Sequence, residues 1–258
     1  MDLSTLIGFA LAFGAVIAAL YMDGGNIQEL FAHMSALILT VGGALGAGTI
    51  SFPLPIVLNL PKLMMKAFLG SKEDLQGTIE ELVNMADKAR RDGILALEED
   101  AKKIEDEFLR KGVMLVVDGV DAQQVRAIMQ SDTRLMHERH LGGVGLLAAM
   151  GGYAPTLGII GTVMGLINVL KQLSEPEKLG EAIGAAFLAT LWGIMSANLI
   201  WLPIASKLRV KSEEEVQMRE MLIEGVLALQ AGENPRIVRE KLSAFLPPNK
   251  RSADEESK

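Results

Sequence analysis

The chain carries three histidines, His33, His137 and His140, and no cysteine. His137-Glu-Arg-His140 has the i, i+3 spacing that puts two imidazoles on one helix face, an arrangement a metal could use. No third ligand neighbours them, so the pair reads as a solvated helix face. No Gly-x-x-x-x-Gly-Lys-Ser/Thr loop, His-Glu-x-x-His or Gly-x-Ser-x-Gly occurs, so no enzymatic chemistry is expected and no cofactor is implied. Without cysteine there is no disulfide scaffold, cysteine-ligated zinc, iron–sulfur cluster or thiol catalysis. A net charge of −7 argues against nucleic acid as a partner. Two stripes of small residues remain. Pro155, Gly158, Thr162 and Gly165 recur every three or four residues, as do Ala186, Thr190, Gly193 and Ala197. Each stripe holds one hydroxyl, and small stripes let helices approach closely. Taken alone, packing within the subunit is the plainer reading of them. Pro155 and Pro203 each sit inside an apolar run, where proline removes a backbone hydrogen bond and gives a bend, fixed or hinged.

The elements that hold these residues are readable from charge. Half of the 258 residues are hydrophobic, and the mean hydropathy is +0.29. Residues 3–22, 30–61, 141–170 and 182–206 contain no Asp, Glu, Lys or Arg, whereas 62–140 hold 29 charged residues in 79. About 20 apolar residues of helix cross a bilayer. The fold class predicted is an all-α integral membrane protein with four transmembrane helices. A soluble bundle would need a polar face on most helices, and these stretches have none. The organisation expected is residues 1–61 for spans one and two, 62–140 for a cytoplasmic domain and 141–206 for spans three and four. Residues 207–246 then form a helical tail and 247–258 a disordered end. Pro53, Pro55 and Pro61 should stop span two. Of the 25 basic residues, 23 lie outside the loops at 23–29 and 171–181. The positive-inside rule therefore puts both termini and the middle domain in the cytoplasm.

In the cytoplasmic part, apolar periodicity predicts helices over 73–90, 94–109, 118–141, 212–229 and 236–245. Gly93 interrupts the first pair and Lys111-Gly112 ends the second helix. The run 113–117 is strand or buried helix. In 118–141 the inward positions read as Val125, Ile128, Met129, Leu135 and Met136, and that helix continues into span three. No span contains an ionisable carboxylate or base. An ion carrier normally places an acid at mid-membrane, so any ion pathway here needs a partner that brings one.

Several ordered motifs resemble the MotA/PomA family, the larger membrane subunit of the bacterial flagellar stator. They are Met1-Asp-Leu-Ser-Thr-Leu-Ile-Gly8, Ala89-Arg-Arg-Asp-Gly-Ile-Leu-Ala-Leu-Glu98, Ala154-Pro-Thr-Leu-Gly-Ile-Ile-Gly-Thr-Val-Met-Gly165, Ala186-Phe-Leu-Ala-Thr-Leu-Trp-Gly193 and Leu229-Gln-Ala-Gly-Glu-Asn-Pro-Arg236. The resemblance implies a homopentamer in the inner membrane around two copies of a single-span MotB-type partner. That partner would carry the ion-binding aspartate and the peptidoglycan anchor. It also implies a rotor switch protein of the FliG type that meets Arg90 and Glu98, with Arg91 and Glu99 as helpers. Thr162 and Thr190, with Gly158, Ala189 and Gly193, fall on or beside the family's ion path and partner-facing surface, and Pro155 and Pro203 on its conformational prolines. Sodium-driven members carry two adjacent threonines in span four. Here the pair is Ala189-Thr190, which favours the proton as the transported ion. The related ExbB/TolQ energisers share the two core spans but have three spans in another order, so the paired spans ahead of the cytoplasmic domain weigh against them.

Overall fold

The computed structural model describes residues 2–70, 74–174 and 176–247. The expected disordered end thus lies, after Pro247, outside the described residues. Every regular element among these residues is helical, and four helices are long and apolar enough to cross a membrane. The chain divides into two compact units, Met1–Ser71 with His140–Val210 and Lys72–Arg139 with Lys211–Lys258.

In the first unit α1 spans Leu3–Met22 and buries none of its side chains within the chain. That suits an apolar helix whose solvent is lipid. The Asp2 carboxylate caps α1 by accepting from the Thr5 amide, and Lys207 Nζ lies 2.7 Å from its other oxygen. The Lys207 ammonium, then the Ser4 hydroxyl and the Thr5 amide, hold that carboxyl far below its usual range. Span two, α2, is Met34–Ser51, with a π turn at Ile38–Gly42 that the periodicity did not signal. It stops where expected. Phe52 is extended, at φ −128° and ψ 152°, as a residue before proline must be. Pro55 and Pro61 do more than end a span, because each lies in the first turn of a new short helix, Leu54–Leu58 and Leu60–Phe68. Proline fits there, since first-turn amides have no intrahelical acceptor.

In the second unit α3 is Leu75–Asp92, capped by Asp74 and ended by Gly93 at φ +86°. A 3₁₀ turn, Ile94–Leu97, leads to the short helix Glu98–Ala101. The helix α4, Glu107–Val117, settles the 113–117 run as helix, with Val113, Val116 and Val117 buried. It also corrects the break expected at Gly112. That glycine lies inside α4 because a Cβ there would sit 2.5 Å from Met129 Cε and 3.1 Å from Val226 Cγ2, so packing outweighs helix propensity.

The longest helix, α5, runs Ala122–Lys171 without interruption, as expected, although it starts four residues later than the sequence suggested. Gly119 at φ +76° makes the preceding turn, and Asp121 accepts from the Gln123 amide. Val125, Met129 and Met136 are buried, but Ile128 and Leu135 are 39% and 46% exposed, which corrects the inward assignment of those two. Span four begins as α6, Pro176–Ser196, and passes a π turn at Ala197–Trp201. It continues as α7, Leu202–Gln230. The tail helix expected to start at Ser212 is therefore the same rod. The last helix, α8, is Pro235–Ser243, capped by Asn234. Arg239 on α8 forms a two-armed ion pair with Glu80 on α3, its Nη2–Oε2 arm 2.6 Å long. This holds the Glu80 carboxyl below its usual range.

The core of this unit is Leu82, Leu97, Leu109, Met129, Leu222 and Leu229, all nearly inaccessible. Leu82 lies against Gly225, where a Cβ would come within 2.7 Å of Leu82 Cδ1. Leu82→Ala is expected to destabilise the unit by about 2–5 kcal/mol, through lost transfer energy and the cavity left behind. The check is the thermal unfolding midpoint of the detergent-solubilised protein. An unchanged midpoint would contradict the packing described.

Candidate functional site at the seam of spans three and four

The two small stripes meet each other. A Cβ on Gly193 of α6 would lie 2.6 Å from the Ala154 carbonyl oxygen and 3.0 Å from the Gly158 Cα of α5. A Cβ on Gly158 would lie 2.9 Å from the Ala189 carbonyl oxygen. These neighbours are backbone and cannot rotate away, so glycine is required at both positions. Further along, Gly165 faces Ala186 in the same manner. The spacing read from sequence thus identified a helix–helix contact inside the subunit, the plainer of its two readings.

The two hydroxyls lie in that contact. Thr162 and Thr190 are hydrogen-bonded to each other across the seam. Thr162 Oγ1 is also 3.1 Å from the carbonyl oxygens of Gly158 and Ala186, and Thr190 Oγ1 is 3.4 Å from the Gly158 carbonyl. Two hydroxyls and two carbonyls therefore gather four oxygens at one level of an otherwise apolar pair of helices. Both threonines are only partly buried, so the cluster has an open side. It can accept or pass hydrogen bonds from water or a carboxyl group placed against that side. It cannot act as an acid or base by itself.

Ala189 takes a different position from its neighbour. Consecutive helix residues point about 100° apart, so Ala189 and Thr190 cannot share a face. Ala189 is 3% exposed, and a Cβ on Gly161 would come within 2.5 Å of its methyl. Its expected place on an open ion-path surface is corrected accordingly: it packs inside the seam. Gly158 and Gly193 are buried there too.

Pro155 lies within α5, half-buried, one turn before Gly158. Pro203 is exposed and follows the π turn Ala197–Trp201 by two residues. A proline ring clashes with the carbonyl four residues back, and a widened turn just before it relieves that clash. The sequence identified the proline but not the turn. It also missed two polar ties and a ring contact. Trp192 Nε1 donates to the Leu30 carbonyl at 2.8 Å, and the Phe31 and Trp192 rings lie 5.4 Å apart. Ser51 Oγ and Tyr153 Oη are 3.0 Å apart, linking α2 to α5. An intramembrane tryptophan does signal a needed acceptor, since a buried indole N–H seeks one.

In the second unit Arg90 and Arg91 close α3, and Glu98 and Glu99 open the next short helix. All four are exposed. Arg91 pairs with Asp87 at 2.6 Å, and Lys102 with Glu98 at 3.0 Å and Glu99 at 3.6 Å. Arg90 makes no ion pair among the described residues. Lys88 Nζ, 2.6 Å from Asp100 Oδ2, ties the two segments together and holds the Asp100 carboxyl below its usual range. His137 Nδ1 lies 3.0 Å from Ser212 Oγ, a structural contact that sequence did not suggest. No group of three or more potential metal-ligating His, Cys, Asp or Glu side chains occurs among the described residues.

Comparison with known proteins agrees with this architecture. Residues 6–93 match the Motility protein A N-terminal family, and residues 100–221 match the MotA/TolQ/ExbB proton channel family. The chain is 40% identical over 251 residues to Motility protein A of Bacillus subtilis, covering 96% of this chain and 92% of that one. It is 37% identical over 254 residues to chemotaxis protein PomA of Vibrio alginolyticus, covering 98% and 99%. Among solved structures it superposes on the flagellar MotAB stator complex from Bacillus subtilis with a TM-score of 0.91 and 37% identity, covering 97% of this chain and 98% of that one. The C. jejuni MotAB structure gives a TM-score of 0.91 at 32% identity, covering 96% and 97%. With near-complete relatives on both counts, the chain belongs to the MotA/PomA family of flagellar motor stator subunits.

Proposed function

We propose that five copies of this chain ring two copies of a single-span, peptidoglycan-anchored MotB-type partner in the bacterial inner membrane, with both termini cytoplasmic. Proton passage through the partner's aspartate then turns the ring against a FliG-type rotor protein. The observation that carries this reading is the absence of any Asp, Glu, Lys or Arg from the four apolar stretches. A subunit of an ion-driven motor without an intramembrane acid must receive one from outside. The open side of the Thr162–Thr190 cluster is where that carboxyl would be met. Pro155 and the Pro203 π turn give the lining helices places to flex as the carboxyl changes charge. Arg90 and Glu98, with Arg91 and Glu99, present exchangeable charges to the rotor.

The proton reading rests on ligand count. Sodium requires several oxygens in place of its water. Here Ala189 offers only a methyl, turned into the seam. A proton needs the partner carboxyl and a file of water. The name of the matching proton channel family supports the same ion.

Three outcomes follow. Reconstituted alone in liposomes, the chain should give no ion flux above background, and flux should appear when the partner is added. Robust flux from the chain alone would exclude the shared pathway. Arg90→Glu or Glu98→Lys should impair swimming while membrane levels and partner co-purification stay near wild type, because exposed pairs contribute under about 1 kcal/mol to folding. Disappearance from the membrane would mark these charges as structural instead. Finally, motility should persist in sodium-free buffer and collapse with a protonophore. Speed that vanishes without sodium would overturn the proton assignment.

A further inference from the structure

A cleft of about 300 Å³ opens between the first half of α1 and the bend of span four. Thr5, Gly8 and Phe9 line one wall, and Asn198, Pro203 and Lys207 the other. Asn198 and Lys207 are nine residues apart in sequence. Along the helix axis the cleft is therefore about 14 Å deep. A bilayer's hydrocarbon core is about 30 Å thick, so this depth is close to one leaflet. The lining is mainly apolar. At Gly8 the space is open, since a Cβ there would meet nothing within 4 Å. The Phe9 ring packs on Phe68, with centroids 5.2 Å apart, and forms a wall. Asn198, at the deep end, donates its side-chain amide to the Ile194 carbonyl of its own helix at 2.9 Å. The mouth is charged. Lys207 Nζ lies 2.7 Å from Asp2 Oδ2 and 3.3 Å from Ser4 Oγ. An ammonium has three hydrogens, so these two contacts leave one to donate. Ala67 also lines the cleft, and its neighbour Lys66 is exposed, as are Lys62 and Arg209.

We propose that this cleft holds an anionic phospholipid, with one acyl chain between Gly8 and Pro203 and the headgroup phosphate accepting from Lys207. The depth and apolar lining suit a chain, and the mouth suits a phosphate. Basic pockets between membrane helices, at the end where lysine and arginine gather, are where anionic headgroups bind. Asp2 offsets part of the Lys207 charge, so Lys62, Lys66 and Arg209 supply the remaining attraction. A helix from a second copy fits the space less well. Spread over its depth, the volume gives a mean cross-section of about 20 Å², whereas a helix about 10 Å across needs about 80 Å². The bound chain would lie against Asn198 and Pro203, where span four leaves regular α geometry. The lipid is thus placed to set how far that bend can move toward α1.

The test is native mass spectrometry of the complete stator, this chain with its partner, titrated with phosphatidylglycerol and separately with phosphatidylcholine. The wild type should bind phosphatidylglycerol the more tightly. Gly8→Leu places a side chain in the open cleft and improves helix propensity, so the stator should still assemble. It should weaken both lipids about tenfold, the effect of driving roughly two methylenes out of an apolar site. Lys207→Gln should weaken phosphatidylglycerol about fivefold and remove most of its advantage, and Lys207→Arg should keep that advantage. Equal wild-type affinity for the two lipids, or phosphatidylglycerol binding that Gly8→Leu or Lys207→Gln leaves unchanged, would overturn the proposal. Gly8→Leu chains that reach the membrane but no longer assemble would put a neighbouring copy in the cleft, and would overturn it as well.

Discussion

Backbone-to-backbone contact at Gly158 and Gly193 is the constraint on which the membrane unit depends. In lipid there is no hydrophobic drive between apolar helices, so close approach and interhelical hydrogen bonds must supply the association. The glycines allow that approach, and the approach is what places Thr162 Oγ1 3.1 Å from the Ala186 carbonyl of the neighbouring helix. At the wider spacing a leucine pair would enforce, the two hydroxyls could bond only within their own helices. Packing and polar chemistry are therefore one feature here. The seam that holds the subunit together is the seam that gathers its oxygens.

The same economy of backbone polar groups explains where the helices deform. Proline is tolerated in a membrane helix when freed carbonyls find other partners or the turn adjusts locally. The π turn at Ala197–Trp201 is such an adjustment, placed just ahead of Pro203. Four residues before the π turn lies Gly193, so the rigid contact and the deformable turn are adjacent on one helix.

Much of this was legible in sequence. Charge-free stretches located all four spans, and steps of three and four residues found the stripes that meet. What escaped was decided by neighbours distant in sequence. Gly112 reads as a helix end until Met129 and Val226 are seen to occupy the space beside it. Ile128 and Leu135 fit an apolar period yet lie at the edge of the buried face. Ala189 carries a family signal in its adjacency to Thr190, but adjacency in sequence is divergence on a helix. The Trp192–Leu30 bond joins residues 162 apart, and no local pattern encodes it.

The charged half of the chain follows the opposite rule. In the membrane unit the Thr162–Thr190 cluster and the Trp192–Leu30 bond are at least partly shielded from solvent. In the second unit the charges at the end of α3 are exposed and weakly tied. Arg91, Glu98 and Glu99 pair only with residues three or four positions away, contacts worth about 0.3–0.5 kcal/mol each. Such pairs exchange partners at little cost, which is what a surface needs if it is to engage and release repeatedly. The stronger tie, Lys88 to Asp100, joins the two segments behind them, so the groups free to exchange ride on a base that does not. Firmer and looser ties thereby fall on different charges within a stretch of 13 residues, from Lys88 to Asp100.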